Sequence, residues 1–177
     1  MFLIKKKVLM KVIVCIAVFF FTYNVHSKEI KVIKEINGYA KIIDGDTIKI
    51  NNNKIRLHGI DAPEKKQICK KPYLTIGIFS FTKNYLCGQV STNKLIKKIN
   101  NQFIKCKIKG VDKYNRLIGE CYKRNENLNS WLVSNGYAVA YRKYSKKYIS
   151  EEINAKNNKL GIWQGKFEMP WNFRRKN

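Results

Sequence analysis

Short alternating segments, one helical stretch among them and further helices near the C-terminus predict an α+β protein that is mainly β. Three strands precede a helix, two strands follow it, and helices close the chain. This order points to a five-stranded Greek-key barrel of the OB type with about three helices; an open α+β sheet is the alternative. The first strand is the alternating run GYAKIID at 38–44, ended by the turn signal Asp44–Gly45–Asp46. TIKI at 47–50 alternates again, and three asparagines at 51–53 mark the next turn. Residues 54–60 make the third strand of the meander. Residues 62–86 read as irregular, with prolines at 63 and 72. Val90, Leu95, Ile96 and Ile99 recur at helical spacing and predict a helix over 88–100.

Strands four and five are expected at 102–111 and 114–123, joined by the turn DKYNR at 112–116. Ile104, Cys106 and Ile108 would face the core, and Lys105, Lys107 and Lys109 solvent. Two helices follow, over 127–135, with Gly136 as its stop, and over 145–160, with Ser145 as N-cap and Gly161 at its end. Trp163, Phe167, Trp171 and Phe173 in the tail are expected to dock it on the core.

The chain has 177 residues, enough for one domain with a core. Its 36 Lys+Arg against 12 Asp+Glu give a formal charge of +24. Such a surface attracts polyanions, nucleic acid foremost. Charge alone does not choose between a nuclease, a nucleic-acid-coating protein and a membrane-surface binder.

The N-terminus carries Lys5, Lys6, Lys7 and Lys11 ahead of an apolar run at 12–21. That run is shorter than the roughly 20 residues of a membrane span. Val25 and Ser27 suit the −3 and −1 positions of a signal-peptide cleavage site. The expectation is an exported protein, periplasmic or secreted, with a signal at 1–27 and one domain at 28–177. An uncleaved anchor is the alternative. Removing four lysines leaves 32 − 12 = +20. Export places Cys69, Cys87, Cys106 and Cys121 in an oxidising compartment. Three pairings exist. With Lys113 and Tyr114 as the two central turn residues, opposed positions sum to 227, as Cys106 and Cys121 do. Directly opposed strand residues lie within disulfide reach, which leaves Cys69 with Cys87. No Cys-x-x-Cys spacing points to zinc.

Four of the 12 acids fall within 21 positions: Asp44, Asp46, Asp61 and Glu64. In a three-strand meander the first turn and the end of the third strand lie at the same end, so these carboxylates should meet. A hard divalent cation such as Ca²⁺ or Mg²⁺ would relieve their repulsion. Arginine is scarce, yet Arg56 lies on the strand leading to the acids and Arg116 just past the second turn. The guanidinium fork suits phosphate oxygens. Together these residues can form a phosphodiester-hydrolysing site. Strict alternation puts Arg56 and Asp61 on opposite faces, so the chain must bend near Gly59.

The segments DGDTIKI, IRLHGIDAPE and DKYNR, with this spacing, resemble the three signature segments of the thermonuclease family, the staphylococcal nuclease-like proteins. The tail GIWQGKFEMPW and the four cysteines resemble its exported bacterial branch. The resemblance implies an OB-fold, Ca²⁺-dependent endonuclease acting on DNA and RNA and leaving 3′-phosphate ends. It implies Asp44, Asp61 and the Ala62 carbonyl as ligands of one Ca²⁺, with Asp46 beside the ion. Glu64 would position or deprotonate the attacking water, and Arg56 and Arg116 would hold the phosphate. Lys113, Tyr114 and Tyr141 resemble the residues lining the nucleotide pocket. A monomer with no stable protein partner is expected. The competing classes are a non-catalytic OB-fold binding module, which has no use for carboxylates facing phosphates, and a membrane-surface protein.

Overall fold

The computed structural model describes residues 33–176. The expected signal segment lies outside them. Five strands close into a barrel: β1 (Lys34–Ile42), β2 (Thr47–Ile50), β3 (Asn53–Leu57), β7 (Phe103–Val111) and β8 (Leu117–Lys123). They pair in the order β3-β2-β1-β7-β8, with the short β9 (Glu126–Asn127) at the far side of β8, and a parallel β3–β8 ladder, Ile55 opposite Leu117, completes the circuit. Alternation drives this closure: Ile48, Ile50, Ile55, Leu57, Ile104, Cys106 and Ile108 all point inward and are fully buried. Helix α1 (Cys87–Ile99) covers the barrel with Leu95 and Ile99, and α2 (Leu128–Ser134) with Leu128, Leu132 and Val133. Asn127 caps α2 by accepting from the Ser130 amide. Helices α3 (Ile149–Asn157) and α4 (Pro170–Lys176) follow. The described residues therefore form the expected α+β barrel, with four α-helices among them rather than about three. Ser145 does not cap α3; its hydroxyl accepts from the Lys147 amide in the turn that precedes the helix.

The segment at 62–86 is more ordered than its prolines suggest. It follows β4 (Ile60–Asp61), a short pairing strand, and holds a separate two-stranded ribbon of β5 (Ile68–Ile76) and β6 (Phe79–Leu86). Pro72 pairs with Thr82 at the point where the register slips before Leu74, the kind of irregularity at which a two-stranded ribbon tolerates proline. The Cys69–Cys87 disulfide staples the base of this ribbon, and the outer residues Leu74, Ile76, Phe79 and Phe81 are exposed.

The second hairpin corrects the turn while keeping the pairing. Asp112 N–H donates to the Arg116 carbonyl, so three residues, not two, form the loop. Asn115 takes the left-handed conformation (φ 58°). A bulge between Ile108 and Gly110 absorbs the extra residue, and Cys106 again lies opposite Cys121, to which it is bonded. The bulge also turns Lys109 away from the solvent-facing row expected for it. Its ammonium meets the buried Glu120, which also accepts from Lys147 Nζ (2.8 Å) and Tyr122 Oη (3.0 Å).

Burial alone would raise the Glu120 carboxyl, but the two lysines hold it at about 2, below its ordinary 4.5. A depressed folded pKa stabilises the fold above the unfolded value and loses that stability as pH falls from about 4.5 towards 2. The loss should be on the order of 3 kcal/mol. Denaturant unfolding of wild type and Glu120→Gln at pH 6 and pH 3 tests this: the variant should be less stable at pH 6 and much less pH-dependent. Parallel pH profiles would contradict it.

Candidate active site

The Asp44–Gly45–Asp46 turn packs against the end of β4 through its glycine. A Cβ on Gly45 would stand 2.7 Å from the Ala62 Cβ and 2.7 Å from Ser91 Oγ, so only glycine lets the turn lie this close. Asp46 is then used in full. Its Oδ1 accepts from Thr47 Oγ1 (3.1 Å) and Arg56 Nη1 (3.0 Å), and its Oδ2 from the Ala62 amide (2.8 Å). Asp44 Oδ1 accepts from the Asp46 amide at 3.0 Å.

Gly59 supplies the bend that alternation required. β3 stops at Leu57, Gly59 takes φ +76°, and β4 resumes at Ile60. The buried Asn129 fixes this corner: its amide donates to the His58 and Gly119 carbonyls (2.9 and 3.3 Å) and accepts from Cys121 N–H (3.1 Å). Beyond the bend, β10 (Val139–Ala140) pairs with β4, Val139 opposite Asp61. Glu152 of α3 steadies β10 by accepting from the Ala140 amide (2.9 Å). The result is that Arg56 Nη2 reaches Asp61 Oδ1 at 2.6 Å. One guanidinium thus bridges Asp46 and Asp61, both buried.

Glu64 lies further along, its side chain 40% exposed. Its backbone is pinned from two sides. Gln67 accepts from the Glu64 amide (3.2 Å), and the Gln67 amide donates to the Glu64 carbonyl (2.7 Å). Gly88, at the start of α1, lets that carbonyl come in contact; a Cβ there would sit 1.9 Å from it. Gly88→Ala should therefore cost about 1–3 kcal/mol by overpacking and disturb Glu64, read as a lowered thermal midpoint. An unchanged midpoint would contradict the contact.

A residue that sequence reading missed completes the constellation. Arg174 of α4 donates to both Asp61 oxygens (3.0 and 2.8 Å) and to Glu64 Oε1 (2.8 Å). Three positions earlier on α4, Trp171 stacks on Tyr141, with ring centroids 5.3 Å apart and planes at 6°. Tyr141 in turn donates its amide to the Gly59 carbonyl. Of the pocket residues the sequence suggested, Tyr141 therefore adjoins the acids. Lys113 and Tyr114 sit in the β7–β8 turn instead. Arg116 is there too, held by Asp112 through Nε and Nη2, each 2.8 Å from Oδ2, with its guanidinium against the Tyr114 ring. Arg116 lies next to Leu117, which pairs with β3 one residue before Arg56, but its side chain is turned to Asp112 rather than to the acids. The signal for Arg174 was faint: only six of the 36 basic residues are arginine, and two of them are adjacent at 174–175.

The charges do not balance. Asp44, Asp46, Asp61 and Glu64 carry four negative charges, and Arg56 and Arg174 return two. Burial, then the neighbouring Asp46, pushes the Asp44 carboxyl up to about 6. Burial also raises Asp61, Asp46 adds to this, and the two guanidiniums pull the other way. The residual charge of −2 and the oxygen-only donors fit a divalent cation. Among the described residues, no three acids stand together as a ready-made metal cage; guanidiniums separate Asp46, Asp61 and Glu64.

Comparison with known proteins agrees with this reading of the fold. A sequence model of the family described as "Staphylococcal nuclease homologue" matches residues 54–165. The succinoglycan biosynthesis protein ExoI of Rhizobium meliloti (strain 1021) is 33% identical over 136 residues, covering 75% of this chain and 67% of that protein. An uncharacterized endonuclease of Haemophilus influenzae is 32% identical over 131 residues, 70% of this chain and 64% of that one. The micrococcal nuclease of Shigella flexneri is 29% identical over 154 residues, 77% and 78% of the two chains. The chain thus spans about two thirds of the length of the first two of these relatives. With the closed barrel and the matched segment, this chain belongs to the staphylococcal nuclease homologue family.

Proposed function

We propose that the protein is an exported, monomeric, Ca²⁺-dependent endonuclease that hydrolyses phosphodiester bonds in DNA and RNA and leaves 3′-phosphate ends. The observation that carries this is the Arg56 fork, 3.0 Å from Asp46 and 2.6 Å from Asp61, beside the exposed carboxylate of Glu64. A module that only bound nucleic acid would have no use for acids bridged by guanidiniums at one end of its barrel.

In this reading Asp44, Asp61 and the Ala62 carbonyl hold the Ca²⁺. Asp46, saturated by Thr47, Arg56 and Ala62, fixes the frame beside it. When bound, the ion supplies positive charge at the phosphoryl oxygen. Glu64 orients a water and takes its proton as the oxygen attacks phosphorus. Arg56 donates to a phosphate oxygen and stabilises charge on the five-coordinate phosphorus. Arg116 does the same once its guanidinium is released from Asp112. Tyr141 offers an aromatic face to a nucleotide, and Lys113 and Tyr114 receive its phosphates from the β7–β8 turn. The basic surface draws the polyanion in. A labelled oligonucleotide digested in Ca²⁺ tests this reading. Products bearing 3′-phosphates are expected; 3′-hydroxyl ends, or none, would contradict it.

A further inference from the structure

Pro170 starts α4, a position where its missing N–H costs nothing. Ahead of it, Phe167 and Met169 pack with Trp171 against Ile162, Val139 and the Cys69–Cys87 pair. Gln67, fully buried, donates to the Glu168 carbonyl (2.6 Å) while its oxygen accepts from the Glu64 amide. The tail is thus tied to the same short loop that carries Glu64. From this anchor α4 presents Trp171 and Arg174 on one face, three residues apart.

Each of the two meets a different part of the site. Trp171 covers the ring face of Tyr141. Arg174 takes both oxygens of Asp61 and one of Glu64. A tail that merely docked would need only the aromatic contact. Instead its guanidinium lies on two carboxylates that the proposed reaction needs for other partners. Asp61 Oδ1 accepts from both Arg56 and Arg174 and Oδ2 from Arg174, so a cation on this carboxylate would have to share it with a guanidinium charge. Glu64 cannot accept from Arg174 and orient a water through the same lone pair, and the face of Tyr141 that stacks on Trp171 is closed to a base.

We propose that α4 is an intramolecular lid that competes with ligand: Arg174 stands in for the divalent cation on Asp61 and Glu64, Trp171 stands in for a base on Tyr141, and cation and substrate bind by displacing them. This rests on the reading of Asp61 as a cation ligand and Glu64 as the water-holding carboxylate. Mutually exclusive occupants lower each other's affinity by the same factor. Removing the lid's contact must therefore raise intrinsic cation affinity.

Isothermal titration of the purified protein with CaCl₂, in the absence of nucleic acid, reads this directly. Arg174→Gln should bind Ca²⁺ about tenfold more tightly than wild type, the equivalent of one charge-assisted contact released. Arg174→Lys, which keeps the charge without the fork, should fall between them. Trp171→Ala, which leaves Arg174 in place but loosens α4, should shift affinity the same way by a smaller factor. Circular dichroism checks that each variant is folded, and because three variants are compared, one unfolded variant leaves the comparison intact. Equal or weaker Ca²⁺ binding by folded Arg174→Gln, or no calcium binding by any of the proteins, would overturn the lid. The nuclease reading fails separately, if neither wild type nor Arg174→Gln cleaves DNA in saturating Ca²⁺.

Discussion

Glu64→Gln is expected to lower phosphodiester cleavage by about 10²–10⁴-fold, the usual worth of a positioned general base, while leaving the fold as it is. The substitution keeps the side chain's size and removes only its charge and basicity. Glu64 is 40% exposed, and its side chain meets only Arg174 among the contacts resolved. Its position is set by backbone contacts with Gln67 and Gly88, and these the amide does not alter. Single-turnover cleavage of a labelled oligonucleotide, with thermal unfolding alongside, separates the two consequences. Activity within threefold of wild type would remove Glu64 from the mechanism. A large drop in stability would show that its carboxylate carries structure instead.

Arg56→Ala should do both kinds of damage at once. Arg56 is the only basic side chain that reaches Asp46 among the described residues, and it shares Asp61 with Arg174. Burial opposes its charge, yet Asp46 and Asp61 hold its pKa above the ordinary value. Without it, two buried carboxylates face each other with one partner lost. Breaking such a cluster costs about 3–5 kcal/mol, and cleavage should fall to background. Arg56→Lys is informative because a single ammonium cannot fork to both acids. It should recover part of the stability and little of the activity. Chemical denaturation of both variants checks this, and a loss below 1 kcal/mol for Arg56→Ala would contradict the bridging role.

Much of this architecture was legible because local rules and long-range packing agreed. Period-two alternation in β2, β3 and β7 buries one face and so announces a barrel strand. The Arg56–Asp61 meeting was inferred from the clash between alternation and chemistry, and Gly59 at φ +76° resolves it. The Cys106–Cys121 pairing came out as expected although the turn is one residue longer, because the Ile108/Gly110 bulge takes that residue back. What was not legible depended on competition between distant or neighbouring partners. Pro72 signals a break, but the ladder continues past it with a slip in register, so the β5–β6 ribbon was missed. Arg116 has a carboxylate four residues back in Asp112, and that local pair outcompetes the acids across the site. Arg174 is 113 residues from Asp61, and no periodicity or spacing links a tail residue to a strand end so far away.

The central claim is that one end of this barrel, framed by Arg56, Asp61 and Glu64, cuts nucleic acid with the help of a divalent cation. Supercoiled plasmid incubated with the purified protein, in Ca²⁺ and in excess EGTA, tests it most directly. The account predicts nicking and then degradation in Ca²⁺, protection in EGTA, and protection in Ca²⁺ when Glu64 is glutamine. Plasmid that stays supercoiled in Ca²⁺, or is cut equally well in EGTA, would contradict it.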